Sequence, residues 1–136
     1  YLKRKTAADF VIVNGENAAV VGLTPDQAEE ILDAGADVIT MGNHTWDNND
    51  IYQFIDDYAV IRPVNFAEGL PGKGYYVIDG PCPVGVLSVQ GRVYMEPCDN
   101  PFTPRSFCYV SVEAHVLQIP KNNTQSVRNL QALYRV

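Results

Sequence analysis

Apolar residues fall in short, dense runs through the first half of the chain. Asp9-Phe10-Val11-Ile12-Val13 is β-branched and lacks polar alternation, which predicts a strand buried on both faces. The polar turn Asn14-Gly15-Glu16-Asn17 follows it. The period then changes. Thr24 is placed to cap a helix, Pro25 suits its first position, and Gln27 completes a Thr-x-x-Gln capping box. Ala28, Ile31 and Leu32 form its apolar stripe, and Gly35 ends it. Asp37-Val38-Ile39-Thr40-Met41 repeats the buried-strand pattern and runs into Gly42-Asn43-His44. Asp47 or Asn48 is then placed to cap a second helix with the apolar face Ile51, Phe54, Ile55 and Tyr58. Up to Tyr58 the chain reads strand, loop, helix, strand, loop, helix. That is a βαβ-type parallel arrangement.

Gly74-Tyr75-Tyr76-Val77-Ile78 and Val84-Gly85-Val86-Leu87-Ser88-Val89 are strand-like runs joined across Asp79-Gly80, and they predict a hairpin. Pro97, Pro101 and Pro104 mark a loop. Beyond it Val110, Val112, Ala114 and Val116 alternate as a strand does, and Ser126 to Val136 carries weak helical spacing. The pattern therefore predicts an α/β fold, with a βαβ start followed by a hairpin. Its organised domain covers residues 1–102, and a tail of undefined structure covers residues 103–136.

At 136 residues the chain has the length of one domain, and 46% hydrophobic against 19% charged residues place it among folded globular proteins. The net charge of -6 argues against a basic surface that tracks a phosphate backbone, so no extended nucleic-acid partner is expected. A small anionic substrate would need a local positive charge, and a metal supplies one. No apolar run reaches the length of a membrane span and no signal-peptide pattern opens the chain. Cys82, Cys98 and Cys108 form no CxxC pair, and their odd number points to a reducing, cytoplasmic compartment. The opening Tyr1-Leu2-Lys3-Arg4-Lys5 reads as the end of a helix already under way, as in a fragment whose first strand precedes Tyr1.

Both parallel strands deliver polar loops at their carboxyl ends, the edge where α/β sheets bind ligands. These loops hold Glu16, Asn17, Asn43, His44 and Asp47. A carboxylate, amide oxygens and an imidazole are hard-to-borderline donors suited to Mn, Fe or Zn. Each motif alone has a plainer reading. Asn14 to Asn17 are common turn formers with Glu16 solvated, and His44 is equally a hydrogen-bonded histidine over a helix start. Trp46 reads as a packing residue or lid ahead of a stacking platform. Asp47 either caps the next helix or holds His44.

Read together, Gly42-Asn43-His44 resembles the Gly-Asn-His core of the calcineurin-like metallophosphoesterase superfamily. Asn14-Gly15-Glu16-Asn17-Ala18-Ala19 and Thr40-Met41-Gly42-Asn43-His44-Thr45-Trp46-Asp47 resemble its YmdB-like branch, as do Arg62-Pro63-Val64-Asn65-Phe66 and Gln90-Gly91-Arg92-Val93. The match runs in order from about Ala8 to Phe102. The resemblance implies part of a metallophosphoesterase-type β-sandwich flanked by helices. It also implies a phosphodiesterase that uses two divalent metal ions, manganese or iron, on small phosphodiesters such as 2',3'-cyclic AMP. In that family pattern Glu16 matches the bridging carboxylate, Asn17 its companion ligand and Asn43 the amide ligand of one metal. His44 matches the histidine that protonates the leaving oxygen. Self-association as a homo-oligomer is compatible with the family.

Three departures qualify that reading. The family opens with a strand and an Asp-bearing loop, and this chain reads as beginning after it. The family also uses a downstream histidine and a His-x-His pair, whereas His115 has unlike surroundings and falls on the polar face of a predicted strand, so it is expected at the surface and takes no ligand role. Where the family has a glycine-rich tip, this chain has Val20-Val21-Gly22. Glu16, Asn17 and Asn43 alone are too few ligands for two tightly held cations. The expected function is therefore that of a metal-dependent phosphodiesterase with an incomplete centre, and the alternative is a non-catalytic binding or interaction module on the same fold.

Overall fold

Strands β1 (Ile12–Asn14), β2 (Val38–Thr40) and β3 (Val60–Ile61) form a parallel sheet in that order. Strands β4 (Tyr75–Ile78), β5 (Val84–Gln90) and β6 (Asn129–Arg135) form an antiparallel sheet, also in that order. Helices α1 (Pro25–Asp33) and α2 (Ile51–Phe54) connect the parallel strands. This computed structural model describes residues 3–4, 7–80, 83–102 and 129–135. The strand expected over Val110 to Val116, His115, Cys82 and Cys108 lie outside the described residues.

The alternation of side chains across β2 and β3 builds the layers. Ile39 and Val60 are register partners and face one way, into a core with Leu23, Ala28, Met41, Ile51, Phe54 and Ile55. Val38 and Ile61 face the other way, into a second core with Ile78, Val84 and Val86 of the antiparallel sheet. The helices therefore cover one face of the parallel sheet and the second sheet covers the other. Central β2 is wholly buried, as its uninterrupted apolar run requires. The expectation of double-sided burial fails for β1, which is only half-buried because it lies at the end of the strand order.

Local signals explain α1. The Thr24 hydroxyl accepts from the Gln27 N–H at 3.3 Å, and the Gln27 side chain accepts from the Thr24 N–H at 3.2 Å, so the capping box forms as expected. Gly35 follows at φ +107, a conformation that glycine adopts without Cβ strain. The second helix is shorter than its apolar spacing suggests. Ile55 and Tyr58 still pack on the core, but from turns beyond α2. Its N-cap is Asp50, without a side-chain bond, and neither Asp47 nor Asn48 takes that position.

Two strands depart from the sequence expectation. β3 is two residues long and has no period to detect; it forms because β2 offers a parallel edge. Asn129–Arg135, read from spacing as weakly helical, is instead strand β6, paired along all seven residues of β5 from Val84↔Arg135 to Gln90↔Asn129. Backbone pairing there overrides local propensity.

Two polar ties join the sheets. The Ser88 hydroxyl donates to the Met41 carbonyl at 2.8 Å, and the Val64 N–H donates to the Ser88 carbonyl at 2.8 Å. Asn65 is buried, and its Oδ1 accepts from the Gln90 N–H at 2.8 Å. Its Nδ2 donates to the Gln90 and Asp99 carbonyls at 2.8 and 2.9 Å. Arg62 has a comparable structural role, spending its guanidinium on the carbonyls of Pro71 and Pro63 at 2.9 and 3.0 Å. Burial lowers its pKa, and Asp56 opposes that shift. The Arg62–Phe66 motif thus ties the fold together.

Asn65→Ala strands two buried backbone groups of Gln90, each worth about 1–3 kcal/mol when left unpaired, and the part-buried Asp99 carbonyl. The half-exposed ion pair of Lys3 with Asp37, 2.8 Å apart, is the contrast. Urea denaturation is expected to show a loss of about 2 kcal/mol or more for Asn65→Ala and at most about 1 kcal/mol for Lys3→Ala. Equal losses would mean that Asn65 is not the tie described.

Candidate functional site

Parallel pairing aligns Asn14 with Thr40, so both strands leave the sheet at the same edge. The Gly15 N–H extends the ladder by donating to the Thr40 carbonyl at 3.0 Å. A Cβ at Gly15 would lie 2.6 Å from Ile39 Cγ2, so the first loop can leave β1 this close to β2 only with glycine there.

The first loop is tightly wound. The Asn14 side chain accepts from the Glu16 N–H at 3.1 Å, a turn that Asn forms readily. The Gly22 N–H returns to the Glu16 carbonyl at 2.7 Å, and the Ala19 N–H donates to the Gly22 carbonyl at 3.1 Å. Gln27, already used in the capping box, also donates to the Ala18 carbonyl at 3.0 Å and fixes the loop to the start of α1. Glu16 is buried, only 8% exposed, and so is not the solvated turn residue of the plainer reading. Asn17 is exposed. Val20, at the tip, takes φ +69 and is exposed, an unfavourable conformation for a β-branched residue.

The second loop begins where β2 ends. Gly42 accepts from both the backbone N–H and the hydroxyl of Thr45, making a tight turn around Asn43 and His44. His44 Nδ1 lies 2.7 Å from Asp47 Oδ2, with both side chains partly open to solvent at 34% and 48%. Of the two roles open to Asp47, it takes that of holding His44. A carboxylate on Nδ1 makes that nitrogen the donor and leaves Nε2 to carry the exchangeable proton. Asn43 is half-buried beside it.

The loops meet at Gly22 and Asn48. Gly22 has φ +79, and a Cβ there would stand 2.8 Å from Asn48 Cβ and 3.0 Å from the Asn48 backbone nitrogen. Glycine therefore permits the first loop to lie directly on the second. The Ser88 hydroxyl on the Met41 carbonyl supports the second loop from the other sheet. Sequence reading missed that support, because a serine within an apolar strand gives no sign of its partner.

The edge thus presents one carboxylate, two amides and an imidazole held by a second carboxylate. Among the described residues no three His, Cys, Asp or Glu side chains gather in a metal-holding cluster. Glu16, Asn17 and Asn43 on their own therefore do not fit a two-cation centre.

Comparison with known proteins agrees with the motifs. The profile of the YmdB-like protein family matches residues 1–129. The 2',3'-cyclic-nucleotide 2'-phosphodiesterase of Bacillus subtilis (strain 168) is 49% identical over 104 residues, covering 74% of this chain and 39% of that protein. A crystal structure of a novel phosphatase from Mycoplasma pneumoniae superposes with TM-score 0.65 at 34% identity, covering 74% of this chain and 39% of that one. A hypothetical protein from Thermus thermophilus superposes with TM-score 0.70 at 36% identity, covering 77% of this chain and 42% of that one. The chain spans about two-fifths of the length of these relatives. On the family match and these identities, the chain belongs to the YmdB-like protein family.

Proposed function

We propose that this chain forms part of a metal-dependent phosphodiesterase or phosphatase whose substrates are cyclic nucleotides of the 2',3'-cyclic AMP class. The observation that carries the reading is the His44–Asp47 pair, 2.7 Å apart, on a loop packed against the one that holds buried Glu16. The name of the Bacillus relative supports the substrate class.

His44 would carry the chemistry assigned to the chain's own residues. Hydrolysis of a cyclic phosphodiester joins a water oxygen to phosphorus and breaks one P–O bond to the ribose. The departing ribose oxygen needs a proton. An imidazolium held at Nδ1 by Asp47 would offer one from Nε2. Glu16, Asn17 and Asn43 would bind cations of the manganese or iron class together with ligands additional to these three. A cytoplasmic setting and a capacity to form homo-oligomers belong to the same reading. No described helix is long and apolar enough to cross a membrane.

A second reading is a binding or interaction module on the same fold. Metal content and turnover separate the two. The purified 136-residue chain is expected to hold less than one manganese per chain and to hydrolyse little 2',3'-cyclic AMP. Two cations per chain with fast turnover would contradict the incomplete centre. In any preparation that does turn over, His44→Ala is expected to remove about a hundredfold or more. Turnover that survives the substitution would remove His44 from the mechanism.

The packing of one loop on the other gives a further test. Gly22→Ala must strain a positive φ and push against Asn48, whereas Gly35→Ala strains its φ with nothing within 4 Å. Each is expected to cost about 1–3 kcal/mol of stability. Only Gly22→Ala is expected to weaken manganese binding as well, read by electron paramagnetic resonance of the free ion. Equal manganese affinity in both variants would mean that the loop contact does not shape the site.

A further inference from the structure

Tyr52 is about half exposed, 48%, although it is aromatic and lies beside the candidate site. Its ring stacks on Trp46 with centroids 5.0 Å apart and planes 17° from parallel. Trp46 also touches Phe66 at 6.3 Å and packs against the helix-side core. Trp46 is thus a packing residue, rigidly held. One face of Tyr52 rests on it, while the residue as a whole stays 48% exposed. Tyr52 is placed by α2, whose neighbouring positions Ile51 and Phe54 are buried, so the helix presents position 52 outward. The stack thus joins a ring packed on the core to a residue that solvent reaches.

The position of this stack matters. Trp46 lies between Thr45 and Asp47, two residues from His44, so its Cα is within about 7 Å of that of His44 along the chain. A ring stacked on Trp46 is therefore a near neighbour of the loop where a phosphate would react. A nucleotide carries a flat base on the far side of the sugar from its phosphate, and bases stack on aromatic faces irrespective of their identity.

We propose that Tyr52 is the stacking platform for the nucleobase of a nucleotide whose phosphate reaches the His44 loop. This rests on the phosphodiesterase reading and adds the residue that would separate nucleotides from other phosphodiesters. Trp46, held by its packing, is a positioning residue for Tyr52. Tyr52 itself touches the substrate. Stacking of this kind tolerates any base, so the platform favours nucleotides as a class without selecting adenine.

The chain contains a single tryptophan, and it is Trp46, so its fluorescence reports on this place alone. Titration of the 136-residue chain with 2',3'-cyclic AMP in manganese is expected to change that fluorescence saturably, while inorganic phosphate and dimethyl phosphate change it far less. Tyr52→Ala is expected to weaken nucleotide binding by about five- to a hundredfold. Tyr52→Phe keeps the ring and is expected to bind like the unmodified protein. Thermal unfolding of both variants checks that the fold is intact, and isothermal titration gives the affinities independently of any change in Trp46 emission. Unaltered affinity in Tyr52→Ala, or no saturable binding to the unmodified chain, would overturn the platform. Adenosine binding as tightly as the cyclic nucleotide, with His44→Ala without effect, would keep the platform and remove the phosphodiesterase reading.

Discussion

Everything at the candidate site depends on the parallel register of β1 and β2. With Asn14 opposite Thr40, the two chains must leave the sheet side by side. An antiparallel pairing would send one loop to the far end, and Glu16 would lie a strand's length from Asn43 and His44. The register is enforced from both faces. Ile39 of β2 commits one face to the helices, while its neighbour Val38, with its register partner Ile12 of β1, commits the other to the antiparallel sheet. A slip by one residue would exchange those faces and put apolar side chains against the wrong layer. The position of the polar residues is thus a consequence of where the apolar ones are buried.

The second sheet then holds the edge in place. Ser88 bonds the carbonyl of Met41, the last residue before Gly42, and Asn65 joins the end of β5 to the segment around Asp99. The bonds of Ser88 to Met41 and of Asn65 to Gln90 are short and buried, so they resist opening more than the partly exposed pair of Lys3 and Asp37 does. Glycine plays its part only at close approaches. Gly15 lets the first loop pass Ile39, and Gly22 lets it rest on Asn48. Val20, exposed on the same loop, accepts a left-handed backbone.

Periodicity read from residues alone reached β2, α1 with its complete capping box, and the β4–β5 hairpin, because each has a strong local cause. It did not reach β3, whose two residues become a strand only beside β2. It misread Asn129–Arg135, where pairing with β5 outweighs weak helical spacing. At the site, the residue types and their strand-end positions were legible, and the ordered motifs carried the family. The choice between two roles for Asp47 was not legible, since capping and holding His44 require the same residue at the same spacing. Nor was the burial of Glu16, because a turn sequence does not say which side of the turn the protein covers. Tyr52 gave no signal either, since it falls off the apolar face of its helix and its stacking partner sits on the preceding loop.

In the proposed function the loops after β1 and β2 form one divalent-cation half-site. Paramagnetic broadening of backbone amides during a manganese titration tests it directly, because the effect falls off steeply with distance from the bound ion. The amides of Glu16, Asn17, Asn43 and His44 are expected to broaden together at the lowest manganese additions. Broadening confined to the surface carboxylates of α1, such as Asp26, Glu29 and Glu30, with both loops unaffected, would contradict it.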